Sequence, residues 1–545
     1  MTSKYKSWYH PYKAEKEFNK KTAYFSMEFG IHQGLKTYSG GLGFLAGSHM
    51  RSAYNLKQNL IGVGMLWKYG YYDQGRNRDQ TLQVNFIEKN YNFLEDSGLE
   101  VEVKIHDNES VKVRAYVLKP ETFDTAPIYF LTTDVAGNDF LSRTITDRLY
   151  DSNEDTRISQ SIILGIGGAK IVEALGGADV YHLNEGHALP AFYYLQNNGS
   201  KAQKAFTTHT PEKGGNEERN GHHLNRFGFF GKTLSFEELQ KEMVNGDGIN
   251  YTVSALRMAK KANAVSKLHA KVSAEMWKGF ENTTEILPIT NSQDQNFWQD
   301  KEIRKAWQNK DSKAMVERKI ALKKSLFSEV LHQTGKIFNP DVVTIVWARR
   351  FAGYKRADLL LYDIARFESL VTNTKYPVQI IWAGKPYPMD FYGIEVFNRL
   401  VKHTKNHPNL AVLTGYEIEL SKKLKTGSDI WLNVPRITHE ASGTSGMTAA
   451  MNGSINLSTN DGWMPEFGKN DKNCFLLPEM DSSLPEAEQD EMDCKNLYEI
   501  LEQKVLPTFY DHPDAWNKIV FNAIDGVIPE FTSERMAKQY YQELY

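Results

Sequence analysis

Short apolar runs alternate along this chain with stretches of helical period, and polar turns separate them. The run 22–29 (Thr-Ala-Tyr-Phe-Ser-Met-Glu-Phe) predicts a buried strand. A glycine-rich turn, Tyr38-Ser39-Gly40-Gly41-Leu42-Gly43, leads into a helical run from Phe44 to Leu56. A second apolar strand follows at Leu60–Leu66, so the three segments predict a βαβ unit. Residues 75–135 contain alternating segments instead, such as Leu99–Ile105 and Val111–Val117, and predict an antiparallel insertion. Helical spacing returns over 145–175, first at Ile145–Tyr150 and then from Arg157 through Lys170. Gly165-Ile166-Gly167-Gly168 lies inside that run with no strand before it, so it is not a dinucleotide fingerprint. Two strands then end in polar groups, at Asn184-Glu185-Gly186-His187 and at Thr208-His209-Thr210.

A charged helical stretch runs from Lys301 through Lys336, and Asn339-Pro340 punctuates it. Beyond that point the pattern is strand 341–347, helix 357–369, strand 378–383, helix 391–404, strand 410–414, helix 417–425 and strand 429–432. A loop of small residues and a strand at 454–458 follow. Helices from Tyr498 onward are broken at Pro507 and Pro529. Strand–helix alternation on both sides of Asn339-Pro340 predicts an α/β protein of two Rossmann-like domains, with parallel sheets covered by helices. The expected division is an N-terminal domain over 1–338 with a β insertion at about 75–135, a C-terminal domain over 339–515, and C-terminal helices over 516–545 packing back on the first domain.

Composition narrows the function classes. An apolar share of 41% with 24% charged residues is that of a globular chain with a sizeable core. A formal net charge of −2 gives no electrostatic footprint for nucleic acid or an anionic membrane, so neither is an expected partner. Cys474 and Cys494 make neither a disulfide framework nor a metal-ligand spacing, and a reducing cytoplasm is the expected location. Residues 1–8 lack an apolar signal core, and no window reaches the ~18 consecutive apolar residues of a membrane span.

Candidate chemistry gathers at predicted strand ends, where doubly wound sheets bind ligands. The stretch from His439 to Gly453 opens with Glu440, continues through small residues and enters a short helical run at Met447–Met451, with Gly453 placed as its C-cap. Close backbone approach and a helix N-terminus make it a cradle for a hexose or a phosphate; the other reading is a tight loop-to-helix corner. In Ala348–Arg356, Arg350 and Lys355 stand five apart across a strand-to-helix turn and can converge on one anion. A solvated basic turn is the plainer alternative. His187 and His209 read either as site groups or as hydrogen-bonded core histidines.

These segments resemble one family, the α-glucan (glycogen, starch, maltodextrin) phosphorylases. Glu440-Ala441-Ser442-Gly443-Thr444, then Gly446-Met447 and Asn452-Gly453, resembles the family's active-site loop, which holds the transferred glucose. Tyr38–Gly43 resembles its glycine loop, a turn that nucleotide-sugar glycogen synthases share in part. The segments ending at His187 and Pro211 resemble those bordering the glucose pocket, with His209 matching a glucose-contacting histidine. Asn184-Glu185-Gly186-His187 has the form of the shorter prokaryotic branch. Ile289-Thr290-Asn291 resembles a segment whose Asn reaches the sugar. Arg350, Tyr354 and Lys355 match an Arg-x-x-x-x-Lys-Arg motif that binds substrate and cofactor phosphates and sets its Tyr against the sugar. Ala383–Pro388, Trp431–Arg436 and Asp461-Gly462-Trp463 extend the resemblance, in order, from about residue 22 to about 467.

The resemblance implies a GT-B-type glycosyltransferase fold, two domains facing a cleft, and retaining glucosyl transfer on α-1,4-glucans. It implies Arg350, Lys355, Glu440 and His209 as catalytic groups. Gly40, Gly41, Leu42, Glu185, Asn291, Tyr354, Ala441, Ser442, Gly443 and Thr444 become the sugar-binding groups. The implied partners are an α-glucan or maltooligosaccharide with phosphate, glucose 1-phosphate or a nucleotide sugar; the family is often dimeric, so a homodimer fits, and no metal is implied. One residue departs from the pattern. The family's lysine after Met forms a Schiff base with pyridoxal phosphate, and Thr448 stands there in this chain. A hydroxyl cannot form an imine, so no covalent cofactor is expected. Three readings stay open: pyridoxal phosphate held without a bond, a transferase using a nucleotide sugar, and a catalytically silent glucan-binding relative.

Overall fold

The structure is a computed structural model that describes residues 8, 10–107 and 109–545; residues 1–7, read above for a leader, lie outside the described residues. Contacts group the chain into two units. One holds residues up to Tyr72 with Phe86–Thr290 and Ser533–Tyr545, and the other holds Asp73–Asn85 with Asn291–Thr532.

Up to residue 290 the strands are β1 (Thr22–Ser26), β2 (Leu60–Met65), β3 (Asp73–Arg76), β4 (Leu82–Asn85), β5 (Glu95–Ile105), β6 (Glu109–Leu118), β7 (Ile128–Thr132), β8 (Val180–Asn184), β9 (Gln203–Thr208), β10 (Glu218–Asn220), β11 (Gly248–Asn250), β12 (Lys261–Ala264) and β13 (Ile286–Pro288). The main sheet of the first unit runs β13-β12-β9-β8-β1-β2-β7-β6-β5. Its pairs are parallel from β13 to β7 and antiparallel at β7–β6 and β6–β5. Every residue of β1 and β8 is buried, as parallel strands covered on both faces require, whereas β6 alternates.

The antiparallel stretch is therefore no separate insertion. β5 and β6 extend the first sheet through β7, and the β3–β4 hairpin groups with the second unit. There Leu82 joins the apolar core, and the Gln74 amide donates to the Gly384 carbonyl (2.8 Å) and accepts from the Gly415 N–H (2.9 Å). Alternation reports one solvated face but not which sheet a hairpin joins. Residues 145–150 form turns; helix is found over Glu154–Ile162 and Gly168–Ala174, with a π-helical turn at Ile163–Gly167 between them.

The second unit is built on β14 (Val343–Ala348), β15 (Val378–Ala383), β16 (Leu410–Leu413), β17 (Ile430–Asn433), β18 (Ile455–Ser458) and β19 (Cys474–Leu476), in the all-parallel order β16-β15-β14-β17-β18-β19. The α/β class and a parallel-rich sheet in each half agree with the sequence pattern. The division differs: it falls at Thr290 and Asn291, not at 338 and 339. The helix Ser312–Thr334 explains why, because Leu326, Phe327 and Val330 pack into one core with Val346, Ala348 and Ile381. Lys319 of that helix donates to the carbonyls of Thr426, Ser428 and Asn452, at the ends of the helices Ile418–Gly427 and Thr444–Met451. The C-terminal stretch is also split. Pro513–Val527 packs Trp516 and Ile524 into the second core, while Ser533–Tyr545 belongs to the first unit, with Ser533 bonded to Ser52 (2.6 Å).

Among the described residues no helix is long and apolar enough to cross a membrane, and no His, Cys, Asp and Glu side chains cluster as a metal site.

Candidate functional site

In the second unit the candidate groups sit where β14 ends and where the loop after β17 enters a helix. The four cations after β14 take separate roles. Arg349 is buried, and its Nη1 donates to Glu440 Oε2 (3.2 Å), while Nε and Nη2 are buried without a partner. Lys355 Nζ donates to the same oxygen (2.8 Å) and lies 4.9 Å from the centre of the Tyr354 ring. Arg356 is wholly structural: it bonds Asp490, Asp493 and the carbonyls of Val434 and Pro435. Arg350, expected beside Glu440, is exposed and reaches it through its field. Arg349, which the spacing argument did not name, supplies a guanidinium bonded to Glu440. Burial alone would raise the Glu440 carboxyl, but Lys355 and Arg349 outweigh it and hold the group below the usual carboxylate range.

The loop itself is pinned. Glu440 N–H donates to Asp461 Oδ2 and Gly462 N–H to Asp461 Oδ1, both at 2.9 Å. Gly443 (φ +90°) opens the helix Thr444–Met451 with no side-chain cap, so first-turn amides and the positive dipole end are presented at Thr444. Ala441 is buried, and the Ser442 hydroxyl is buried without a partner. Asn291, at the start of the unit, is buried with its Oδ1 unpartnered. Thr448 is fully buried and its hydroxyl donates back to the Ser445 carbonyl (3.0 Å). That hydroxyl is spent on its own helix and cannot form an imine, so the residue does not fit a covalent cofactor.

In the first unit the glycine turn precedes the helix Gly41–Asn55 and is held from behind. Glu28 is buried; its oxygens accept from Ser39 N–H (2.7 Å), Ser39 Oγ (2.8 Å), Gly40 N–H (3.2 Å) and the Tyr150 hydroxyl (2.6 Å). A Cβ at Gly43 would collide with Tyr38 at 2.5 Å, yet one at Gly40 or Gly41 meets nothing within 4 Å. Packing thus demands the glycine at 43, while 40 and 41 border open space; Leu42 is half-buried.

The ends of β8 and β9 meet in the same unit. Glu185 adopts φ +74°, ψ 168°, a region almost reserved for glycine. Its carboxylate accepts from Gly186 N–H (3.1 Å), His209 N–H (2.8 Å) and the Thr210 hydroxyl (3.1 Å), so it clamps the β9 end rather than standing free. Burial raises it against those donors. His209 Nε2 bonds Asn184 Oδ1 (2.6 Å), and burial lowers its pKa to about 3, so the ring is neutral. His187 is likewise lowered by burial, to about 4, and its Nδ1 is buried without a partner. Tyr150 spans these groups, with Arg157 5.0 Å from its ring centre and His187 5.7 Å away. Arg157 is ion-paired with Glu217, which lines an open cavity of about 630 Å³ with Gly214–Arg219. Glu28 could have been suspected as a lone carboxylate in an apolar run; Arg157 and Glu217 carry no such signal.

A profile described as carbohydrate phosphorylase matches residues 263–503. The chain is 34% identical to a maltodextrin phosphorylase of Thermococcus litoralis over 591 aligned positions, which cover 96% of this chain and 70% of the relative.

The chain belongs to the carbohydrate phosphorylase family.

A glycogen phosphorylase of Aquifex aeolicus is 30% identical, covering 98% of this chain and 87% of the relative. A Methanocaldococcus jannaschii protein of unassigned function is 47% identical over 96% of this chain and the relative's whole length. Within the family's fold, the loop from Glu440 to Gly453 and the turn from Arg349 to Arg356 stand at the carboxyl ends of parallel strands, the edge where such sheets bind ligands.

Proposed function

We propose that this protein transfers glucosyl units on α-1,4-glucans with retention, using phosphate or a phosphorylated glucose as co-substrate and no covalent pyridoxal phosphate. One observation carries the reading. Arg349 and Lys355 both bond Oε2 of Glu440, which leaves Oε1 to accept from a sugar hydroxyl at the mouth of an uncapped helix. The carboxylate stays ionised because the two cations hold it there, so it is a fixed acceptor over the working pH range. The unpartnered Nε and Nη2 of Arg349 are charged donors suited to a phosphate oxygen, and Arg350 and Lys355 add charge beside them. Fixed cations stabilise charge that develops on a phosphate without reorganising, and Glu440 orients the sugar whose C1–O bond breaks. Thr448 favours the cofactor part of the reading: its hydroxyl is turned into its own helix.

Purified protein given maltoheptaose and phosphate is expected to release glucose 1-phosphate without added pyridoxal phosphate, and borohydride treatment to leave no pyridoxyl-lysine. Such an adduct on Lys355 or Lys385 would overturn the cofactor assignment. Turnover with nucleotide sugars alone would move the protein to the nucleotide-dependent class. Maltoheptaose binding without turnover on any donor would make it a glucan-binding relative.

A further inference from the structure

Asp461 has no part in the chemistry above, yet it touches the loop that presents Glu440. It follows β18 and is 1% exposed. Its two oxygens accept separately, Oδ2 from the Glu440 N–H and Oδ1 from the Gly462 N–H, and the backbone of Thr438 bonds it as well. The segment so held is strained. Thr438 is β-branched and sits at φ +70°, a conformation that such residues rarely adopt and that persists only where neighbours enforce it. The residues after Asp461 grip the same loop further on. Trp463 N–H donates to the Ser442 carbonyl (2.9 Å), and a Cβ at Gly462 would lie 2.4 Å from that oxygen. Residues 438, 440 and 442 are thus all fixed from the one turn 461–463.

We propose that Asp461 is the positioning residue for Glu440: its carboxylate holds Thr438–Glu440 on the strained path that delivers Glu440 to Lys355 and Arg349, and protonation loosens that path. The functional consequence rests on the reading of Glu440 given above; the structural one does not. An ionised carboxylate accepts amides at both oxygens, but a protonated one turns one oxygen into a donor aimed at N–H groups. Burial pushes Asp461 up to about 7, against its N–H donors, and the Glu440 charge adds to the rise. The other charges around this corner are Lys355 and Arg349 on Glu440, Arg350 acting on Glu440 through its charge, and His439, whose pKa burial lowers. The folded state therefore holds an extra proton between about pH 4 and 7. Asp461 costs global stability as pH rises through that window. Opening the loop removes the Glu440 N–H, one of the donors that lower Asp461, while the side chain stays buried. The opened loop therefore holds the proton more tightly still, and deprotonation tightens the loop as it costs global stability.

Hydrogen exchange of the full chain, corrected for intrinsic rates, tests this on peptides spanning 436–446 with β14 as the internal control. Wild type is expected to gain about tenfold protection in the loop between pH 6 and 8, the worth of one charge-assisted bond. Asp461→Asn should be flat at the lower level with β14 unchanged. Loop protection independent of pH in wild type would overturn the proposal without any variant, as would a variant that matches wild type at both pH values. Maltoheptaose affinity at pH 6 and 8 separates the two readings. Affinity that follows loop protection supports both. A loop that switches in a protein that never binds maltoheptaose sinks the glucan reading and leaves the role of Asp461 standing.

Discussion

Glu185 in the first unit and Glu440 in the second are sheltered carboxylates on strand-end loops, yet their partners differ in kind. Two amides and a hydroxyl bond Glu185, whereas an ammonium and a guanidinium bond Glu440. The difference shows in their titration: burial dominates at Glu185 and raises it, and the cations win at Glu440 and lower it. Burial alone therefore does not mark a working charge. A carboxylate held by amides and a hydroxyl is raised by its burial, and one held by two cations is kept ionised well into the acid range.

The comparison can be broken most forcefully by removing each carboxylate. Glu440→Leu leaves Arg349 and Lys355 sheltered and uncompensated, so chemical denaturation should show a loss of about 3–5 kcal/mol. Glu185→Gln keeps one acceptor oxygen and should cost about 1–2 kcal/mol by the same measurement. If the first loss does not exceed the second, the distinction between the two sites is wrong.

A sharper version uses pH. Glu440 adds stability above the ordinary carboxylate range and loses it as pH falls through its lowered folded value. Glu185 behaves oppositely: its folded value is raised, so its contribution falls as pH climbs above the unfolded value. Plotted against pH, wild type minus Glu440→Gln should slope upward and wild type minus Glu185→Gln downward. Parallel slopes would mean that the same force governs both.

Smaller effects mark the edges of the second site. Thr448→Ala removes a buried hydroxyl bonded to its own helix and should cost about 1 kcal/mol in a thermal melt, with no change in any chromophore. Arg350→Ala should cost less than Glu440→Leu by chemical denaturation, because it removes one exposed charge and leaves the Arg349–Glu440–Lys355 cluster intact. Phosphate should still raise its melting temperature, whereas Arg349→Ala should lose that shift.

Strand–helix alternation carried most of the second unit, since fully buried parallel strands read as apolar runs; β19, only three residues long, left no such run. The order of motifs placed Glu440, Lys355 and His209 at strand ends, where the structure has them. Spacing and motif pointed to Arg350 and Lys355; the bond from Arg349 to Glu440 was not legible, because counting residues along a turn does not tell which way each side chain points. Asp461 and Glu28 act through backbone amides, and any carboxylate at those positions looks like an ordinary polar residue in a sequence. The exchanged hairpin was out of reach for a similar reason: Leu82 and Gln74 carry local patterning, and their partners lie some 310 to 340 residues further along.

That hairpin and the segment Ser533–Tyr545 have a consequence for how the chain is made. Each unit borrows a piece from the other's stretch of sequence. A ribosome that has released residues up to 290 has supplied nearly all of the first unit but not residues 533–545, whose Met536, Tyr540 and Leu544 help fill its core. The hairpin waits in the meantime, with Leu82 lacking the core it will enter. The first unit therefore lacks part of its core until residues 533–545 have been made, and the hairpin lacks its partner until the stretch after residue 290 has been made; a cut at residue 290 should yield two fragments that are each less stable alone than together.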